Sequence, residues 1–140
     1  MMKYQCFVLI AIFFWIGRSR AENPEEKCIR ELARTDEVCI LHCSYSYYGF
    51  TDENYRITKK HIETFRDVLI SYNAVPGNEK NKLFDHIKAC ADTANATKPK
   101  SHNDKCYKII HYYRCVVDGK VLSWNSYAAA IIKYDKTKNV

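Results

Sequence analysis

Two cysteine spacings constrain this chain more than any other feature: Cys39-x3-Cys43 and Cys106-x8-Cys115. Both stretches, CILHC and CYKIIHYYRC, read as helical. Each helical residue turns about 100°, so nine steps carry a side chain about half a turn round. Cys106 and Cys115 therefore point to opposite faces, and their sulfurs cannot meet without unwinding the helix. That helix must be a central rod, bonded outward on both sides. Cys39 and Cys43, four residues apart, share one face, and such a pair usually reaches two different partners. Geometry stops there, because six cysteines can pair in fifteen ways.

The chain has 140 residues and seven cysteines. The seventh, Cys6, lies in an apolar run, CFVLIAIFFWI, followed by GRSRA with small residues at Ser19 and Ala21. This pattern is that of a secretory signal peptide over residues 1–21, cleaved after Ala21. The run is too short for a membrane span, which needs about 20 residues, and no other long apolar stretch follows. Residues 22–140 then keep an even set of six cysteines in an oxidising compartment, which reads as three disulfides. No Cys-x-x-Cys pair is present, so a zinc site is not expected.

Helical patterns fill residues 22–140. Asn23-Pro24-Glu25-Glu26 is a helix start, with Asn23 as cap, Pro24 at the first position and two glutamates at the positive end of the dipole. That helix should turn Cys28, Ile29 and Leu32 inward and end near Arg34. Thr35 and Asp36 can cap a second helix through Cys39, Ile40 and Cys43, stopped by Gly49. Thr58 begins a stripe of Ile62, Phe65, Leu69 and Tyr72. Pro76-Gly77 breaks it, and Leu83, Ile87, Cys90 and Ala91 form the next. A loop is expected over Ala94–Lys100. Ser101 with Asp104 resembles a capping box for the Cys106–Cys115 helix. Asp118-Gly119 is a turn, read as a helix–helix connection, and Tyr127, Ala130, Ile131 and Tyr134 make the last stripe. The expected fold is all-α: a single domain of about six helices.

A first cysteine, then Cys-x3-Cys, a distant cysteine and Cys-x8-Cys, in a secreted helical chain, resembles the insect odorant-binding protein superfamily. The runs ENPEEKCIRELARTDEVCILHCSYSYYGF and HYYRCVVDGKVLSWNSYAAAIIKY resemble, more narrowly, the short basic odorant-binding-like salivary proteins of phlebotomine sand flies. The resemblance implies interlocked disulfides Cys28–Cys43, Cys39–Cys106 and Cys90–Cys115. It also implies a saliva protein that binds anionic polymers and surfaces and so blocks surface-triggered (contact-pathway) clotting. Only ten residues separate Cys28 from Cys39, fewer than in odorant carriers, and this shortening argues against a large enclosed cavity.

Charge is segregated along the chain. Removing residues 1–21 takes Lys3, Arg18 and Arg20 from the 22 basic residues, leaving +3 against 16 acidic ones. Residues 22–79 sum to −4 and residues 80–140 to +7. The candidate polyanion-binding residues are Lys80, Lys82, Lys98, Lys100, Lys105, Lys108, Arg114, Lys133 and Lys136, with Lys88, Lys120 and Lys138 nearby. They form one broad surface if the last two helices pack side by side. Multivalent lysines displace counterions from sulfated or phosphorylated polymers, heparin-like or polyphosphate-like, and such binding weakens with salt. An ordinary solvated face is the alternative.

The aromatic stretch Tyr45, Tyr47, Tyr48 and Phe50, joined by Tyr112, Tyr113 and Trp124, is a second candidate. It reads as core packing, or as the wall of a pocket for a small hydrophobic or amine ligand. Asn95-Ala96-Thr97 is a glycosylation sequon beside the basic loop. No zincin, nucleophile-elbow or phosphate-loop motif occurs, and no acid–base pair stands out. An enzyme, a cofactor, a resident metal and a specific nucleic-acid partner are therefore not expected, and the protein is expected to be a monomer.

Overall fold

The computed structural model describes residues 21–140. The signal peptide expected over residues 1–21 lies, apart from Ala21, outside the described residues, as does Cys6. Six α-helices follow one another, and no strand occurs among the described residues: α1 (Pro24–Leu32), α2 (Ile40–Tyr48), α3 (Lys59–Ser71), α4 (Lys80–Ala96), α5 (His102–Val116) and α6 (Trp124–Asp135). Short 3-10 turns at Glu37–Cys39 and Gly77–Glu79 lead into α2 and α4.

Local chemistry sets most of the helix ends. Asn23 Oδ1 accepts the Glu26 N–H at 2.9 Å, and Glu26 reaches back to the Asn23 N–H. Asn23 is the cap its sequence forecast, with Pro24 at the first turn, and the return bond from Glu26 makes the cap reciprocal. Gly49 ends α2 at φ +78°, a left-handed conformation that costs glycine little. Ser101 accepts the Asp104 N–H at 3.1 Å, while Asp104 takes the Lys100 N–H at the same distance. Ser123 caps α6 through the Ser126 N–H.

The disulfides are Cys28–Cys43, Cys39–Cys106 and Cys90–Cys115. As the half-turn between its two cysteines requires, α5 is bonded outward on two sides. Cys106 holds it to the entry of α2, and Cys115 holds it to α4. α1 packs on α2, α2 on α5, α3 on α4, α4 on α5, and α6 on α3.

The core is aromatic at its centre. Phe50 stacks on Phe65 with ring centroids 4.1 Å apart, and Tyr134 continues the stack. Tyr45 and Tyr127 join hydroxyls at 2.7 Å inside it. Around these rings Ile62, Leu69, Leu83 and Ile87 are buried, positions the helical stripes assign to the interior, and Ile109 and Val116 of α5 are buried with them.

Three expectations need correction. Ile29 does not turn inward: it is 44% exposed, because α1 is short and only Pro24 and Cys28 of it are buried. The loop expected from Ala94 begins later, since α4 continues to Ala96, and Ala94 is buried in the core. Asp36 does not cap the next helix. Its carboxylate accepts instead from His102 Nε2 at 2.6 Å, a hydrogen bond between distant segments.

Candidate anion-binding face

The corner between α4 and α5 is fixed by covalent and local forces together. Cys90–Cys115 pins the two helices side by side. Thr97 leaves the helix in an extended conformation, consistent with a connector whose Pro99 supplies no N–H, and Ser101 restarts the helix. Lys98 and Lys100 are exposed on this connector. Lys105 is exposed on the first turns of α5, with its ammonium 6.0 Å from the Tyr55 ring.

Ion pairing sorts the cations more sharply than their sequence positions do. Among the described residues, Arg30, Arg56, Lys59 and Arg66 of the N-terminal half pair with carboxylates. In the C-terminal half only Lys80, Lys88 and Lys120 do so, with Asp67, Asp92 and Asp118. Lys82, Lys98, Lys100, Lys105, Lys108, Arg114, Lys133, Lys136 and Lys138 form no ion pair among the described residues. Each paired lysine is already partly neutralised locally. The unpaired ones project net field, which is what attracts a polyanion.

The nine sequence-predicted cations do not all gather on one helix pair. Lys98, Lys100 and Lys108 line one groove at the α4–α5 corner, and Lys105 lies next to it on the first turns of α5, reaching toward Tyr55. Lys133 stands on α6 and Lys136 just past its end, and α6 packs chiefly on α3 rather than beside α5. The side-by-side packing that would have made one surface of the last two helices is therefore not the arrangement found. Lys80, bonded to Asp67 at 3.6 Å, starts α4 at the far end from the corner. Lys82 is exposed within the same first turn, and Arg114 is exposed on α5.

Lys108 is the unexpected member, only 9% exposed. Burial holds its ammonium below the ordinary lysine value, with a smaller opposing pull from the Asp52 charge. Helical pitch makes this burial legible. Cys115 lies seven residues on, about 20° short of two full turns, so Lys108 shares the edge that Cys115 presses against α4. Asp52 itself organises the loop before α3. It accepts from the Asn54 and Arg56 N–H groups and from Arg56 Nε. Burial alone would raise its pKa, but these hydrogen bonds outweigh that and lower it.

The other candidates resolve as follows. Tyr45, Tyr48, Phe50 and Tyr112 are buried core, while Tyr47 and Trp124 are exposed. Trp124 Nε1 donates to the Tyr113 hydroxyl at 2.7 Å, and the two rings border an open groove of about 580 Å3 between α2, α5 and α6. Asn95 is in the last turn of α4 rather than in a loop. Its carboxamide donates to Ile57 O at 2.8 Å and accepts the Ile57 N–H at 3.3 Å. Cys39, His102 and Cys106 place potential ligand atoms within 4.8 Å of one another, but both sulfurs are spent in one disulfide. No helix among the described residues is long and apolar enough to cross a membrane.

Comparison with known proteins places these features in context. No protein-family model matches the chain. It is 43% identical to ayaconin of Lutzomyia ayacuchensis over 130 residues, covering 93% of this chain and 89% of that protein. It is 39% identical to salivary protein 15a of Phlebotomus duboscqi over 142 aligned positions, covering 99% of this chain and all of that one. Salivary protein 15b of the same fly is 37% identical over the same span. With identity at this level along almost the whole length, the chain belongs to the family of sand fly salivary proteins that includes ayaconin and salivary proteins 15a and 15b.

Proposed function

We propose that the protein is secreted in saliva and binds sulfated or phosphorylated polymers through its C-terminal cations, masking the anionic surfaces that trigger contact-pathway clotting. The observation that carries this reading is the distribution of ion pairs. The N-terminal half neutralises most of its own cations, whereas the C-terminal half leaves Lys98, Lys100 and Lys105 exposed together without ion pairs. Such a cluster gains affinity by releasing polymer counterions rather than by fitting one group, so it suits a repeating anion. The odorant-binding-like resemblance of the cysteine spacing belongs to this reading as the scaffold that displays the cluster. Mechanistically this is competition for a surface, with no active site blocked. The test is the salt needed to elute residues 22–140 from immobilised heparin, followed by clotting triggered by an anionic surface. Late elution, and an inhibitory potency set by the amount of polymer rather than of protease, support the reading. Elution at low salt sinks it.

A second reading, carriage of a small hydrophobic or amine ligand, rests on the apolar groove between α2, α5 and α6, with Glu25 and Glu37 at its border. It predicts salt-indifferent uptake of a fluorescent apolar amine, lost when Trp124 is replaced.

A further inference from the structure

A groove of about 280 Å3 opens at the α4–α5 corner, near the lower end of small-molecule pockets, about 300 Å3. Its walls are largely apolar: Ala94, Pro99, the Cys90–Cys115 disulfide and the rings of Tyr107 and Tyr112. Lys98 and Lys100 stand on its border. Lys108 also lines it, nine-tenths buried and without an ion-pair or hydrogen-bond partner among the described residues. Its stem is buried, but its ammonium keeps access to solvent and forms no ion pair, so it is open to an arriving anion. The one carboxylate of the lining, Asp104, is engaged by the Lys100 N–H and forms no ion pair with Lys108. His111, exposed, completes the wall beside Tyr107, with ring centroids 6.4 Å apart.

We propose that this groove is a discrete site for a small aryl oxyanion, an aryl phosphate, sulfate or carboxylate, whose charged head meets Lys108 and whose ring lies on the Tyr107 and Pro99 walls. Two features separate it from a polymer-binding surface. It is a groove sized for one small head group rather than an extended face, and its walls are apolar where a polymer surface would be cationic throughout. The site does not depend on the polymer reading, although Lys98 and Lys100 serve both.

The test is calorimetric titration of residues 22–140 with phenyl phosphate, inorganic phosphate and phenol, beside Lys108→Met, with heparin elution recorded on the same samples. Saturable one-to-one uptake of phenyl phosphate is expected, with inorganic phosphate and phenol both weaker. Lys108→Met should weaken phenyl phosphate by about ten-fold or more while eluting from heparin near the native salt. Absence of uptake by the native protein, undiminished uptake by the variant, or inorganic phosphate binding as tightly as phenyl phosphate overturns the site. Should the variant not fold, amide shifts of the native protein decide: they must move at Ala94, Lys108 and Tyr112, and movement confined elsewhere overturns it. A protein that takes up phenyl phosphate yet leaves heparin at low salt keeps this site and loses the polymer reading. The reverse loses only this site.

Discussion

The hydroxyls of Tyr45 and Tyr127 meet at 2.7 Å within a core where both rings are buried, whereas the buried hydroxyl of Tyr112 has no hydrogen-bond partner among the described residues. The two situations have opposite consequences on removing one oxygen. Tyr45→Phe leaves the Tyr127 hydroxyl stranded and is expected to cost about 1–2 kcal/mol. Tyr112→Phe removes an unsatisfied group without changing the ring that packs edge-on to Phe65. It is expected to be neutral or to stabilise by about 1 kcal/mol. Denaturant unfolding of the two variants checks the contrast, and equal losses would refute it.

Asp52 supplies a pH-dependent contribution whose sign is fixed by its environment. Its folded pKa lies below the ordinary 3.8 because the Arg56 and Asn54 hydrogen bonds outweigh burial. Between the folded and unfolded values the unfolded chain binds more protons, so stability rises with pH across that window. The contribution is complete above pH 3.8 and is lost as pH falls through the folded value. Asp52→Asn is therefore expected to be less stable than the native protein at neutral pH, by about 1 kcal/mol, with the gap closing in acid. Melting temperatures of both proteins along a pH series measure this. A gap that widens in acid would contradict it.

Asn95 is held by the backbone of Ile57 at both its carboxamide atoms, joining the end of α4 to the start of α3. Ile57 is 4% exposed, so Asn95→Ala leaves two sheltered backbone groups without that partner and is expected to cost about 1–3 kcal/mol. Because Nδ2 is engaged and the sequon ends a helix, the protein secreted by a glycosylating cell is expected at its bare polypeptide mass. A drop in mass on enzymatic deglycosylation would show that the helix end opens to admit a sugar.

How far such features can be read beforehand depends on the range of the interaction that creates them. Helix starts at Asn23, Ser101 and Thr58, and the stop at Gly49, are decided within four residues, so their chemistry is visible in a short window. The opposed faces of Cys106 and Cys115 follow from helical pitch alone. The disulfide partners do not follow from pitch; a resemblance supplies them. Ile29 departs from its stripe because periodicity says which face is apolar, not whether a neighbour arrives to cover it. Asp36 leaves its capping role because its partner, His102, is 66 residues away. The candidate cations are legible as a charge excess. Which of them are neutralised depends on packing between α3, α4 and α5 that no local window contains, and the burial of Lys108 follows from pitch only once Cys115 is known to bond to α4.

The distribution of ion pairs makes the polymer reading quantitative, residue by residue. Lys98, Lys100 and Lys105 are exposed and unpaired at one corner, so reversing Lys98 and Lys100 to glutamate removes two free cations and adds two anions there. Lys80 and Lys88 already face Asp67 and Asp92 at 3.6 and 2.6 Å. Reversing them changes total charge by the same amount but acts where the field is already partly cancelled. If binding obeyed net charge alone, the two double variants would leave heparin at the same salt. If the corner is the site, Lys98→Glu/Lys100→Glu leaves much earlier, and its affinity falls less steeply with salt. The slope of log affinity against log salt is expected to drop by about 0.7–0.9 for each phosphate or sulfate group that the variant no longer neutralises, on the scale known for nucleic acids. Lys133→Glu/Lys136→Glu should fall between the two, since α6 carries free cations but packs on α3, away from the α4–α5 corner. Equal elution of all three double variants would leave a diffuse positive charge as the whole explanation and remove the corner as a located site.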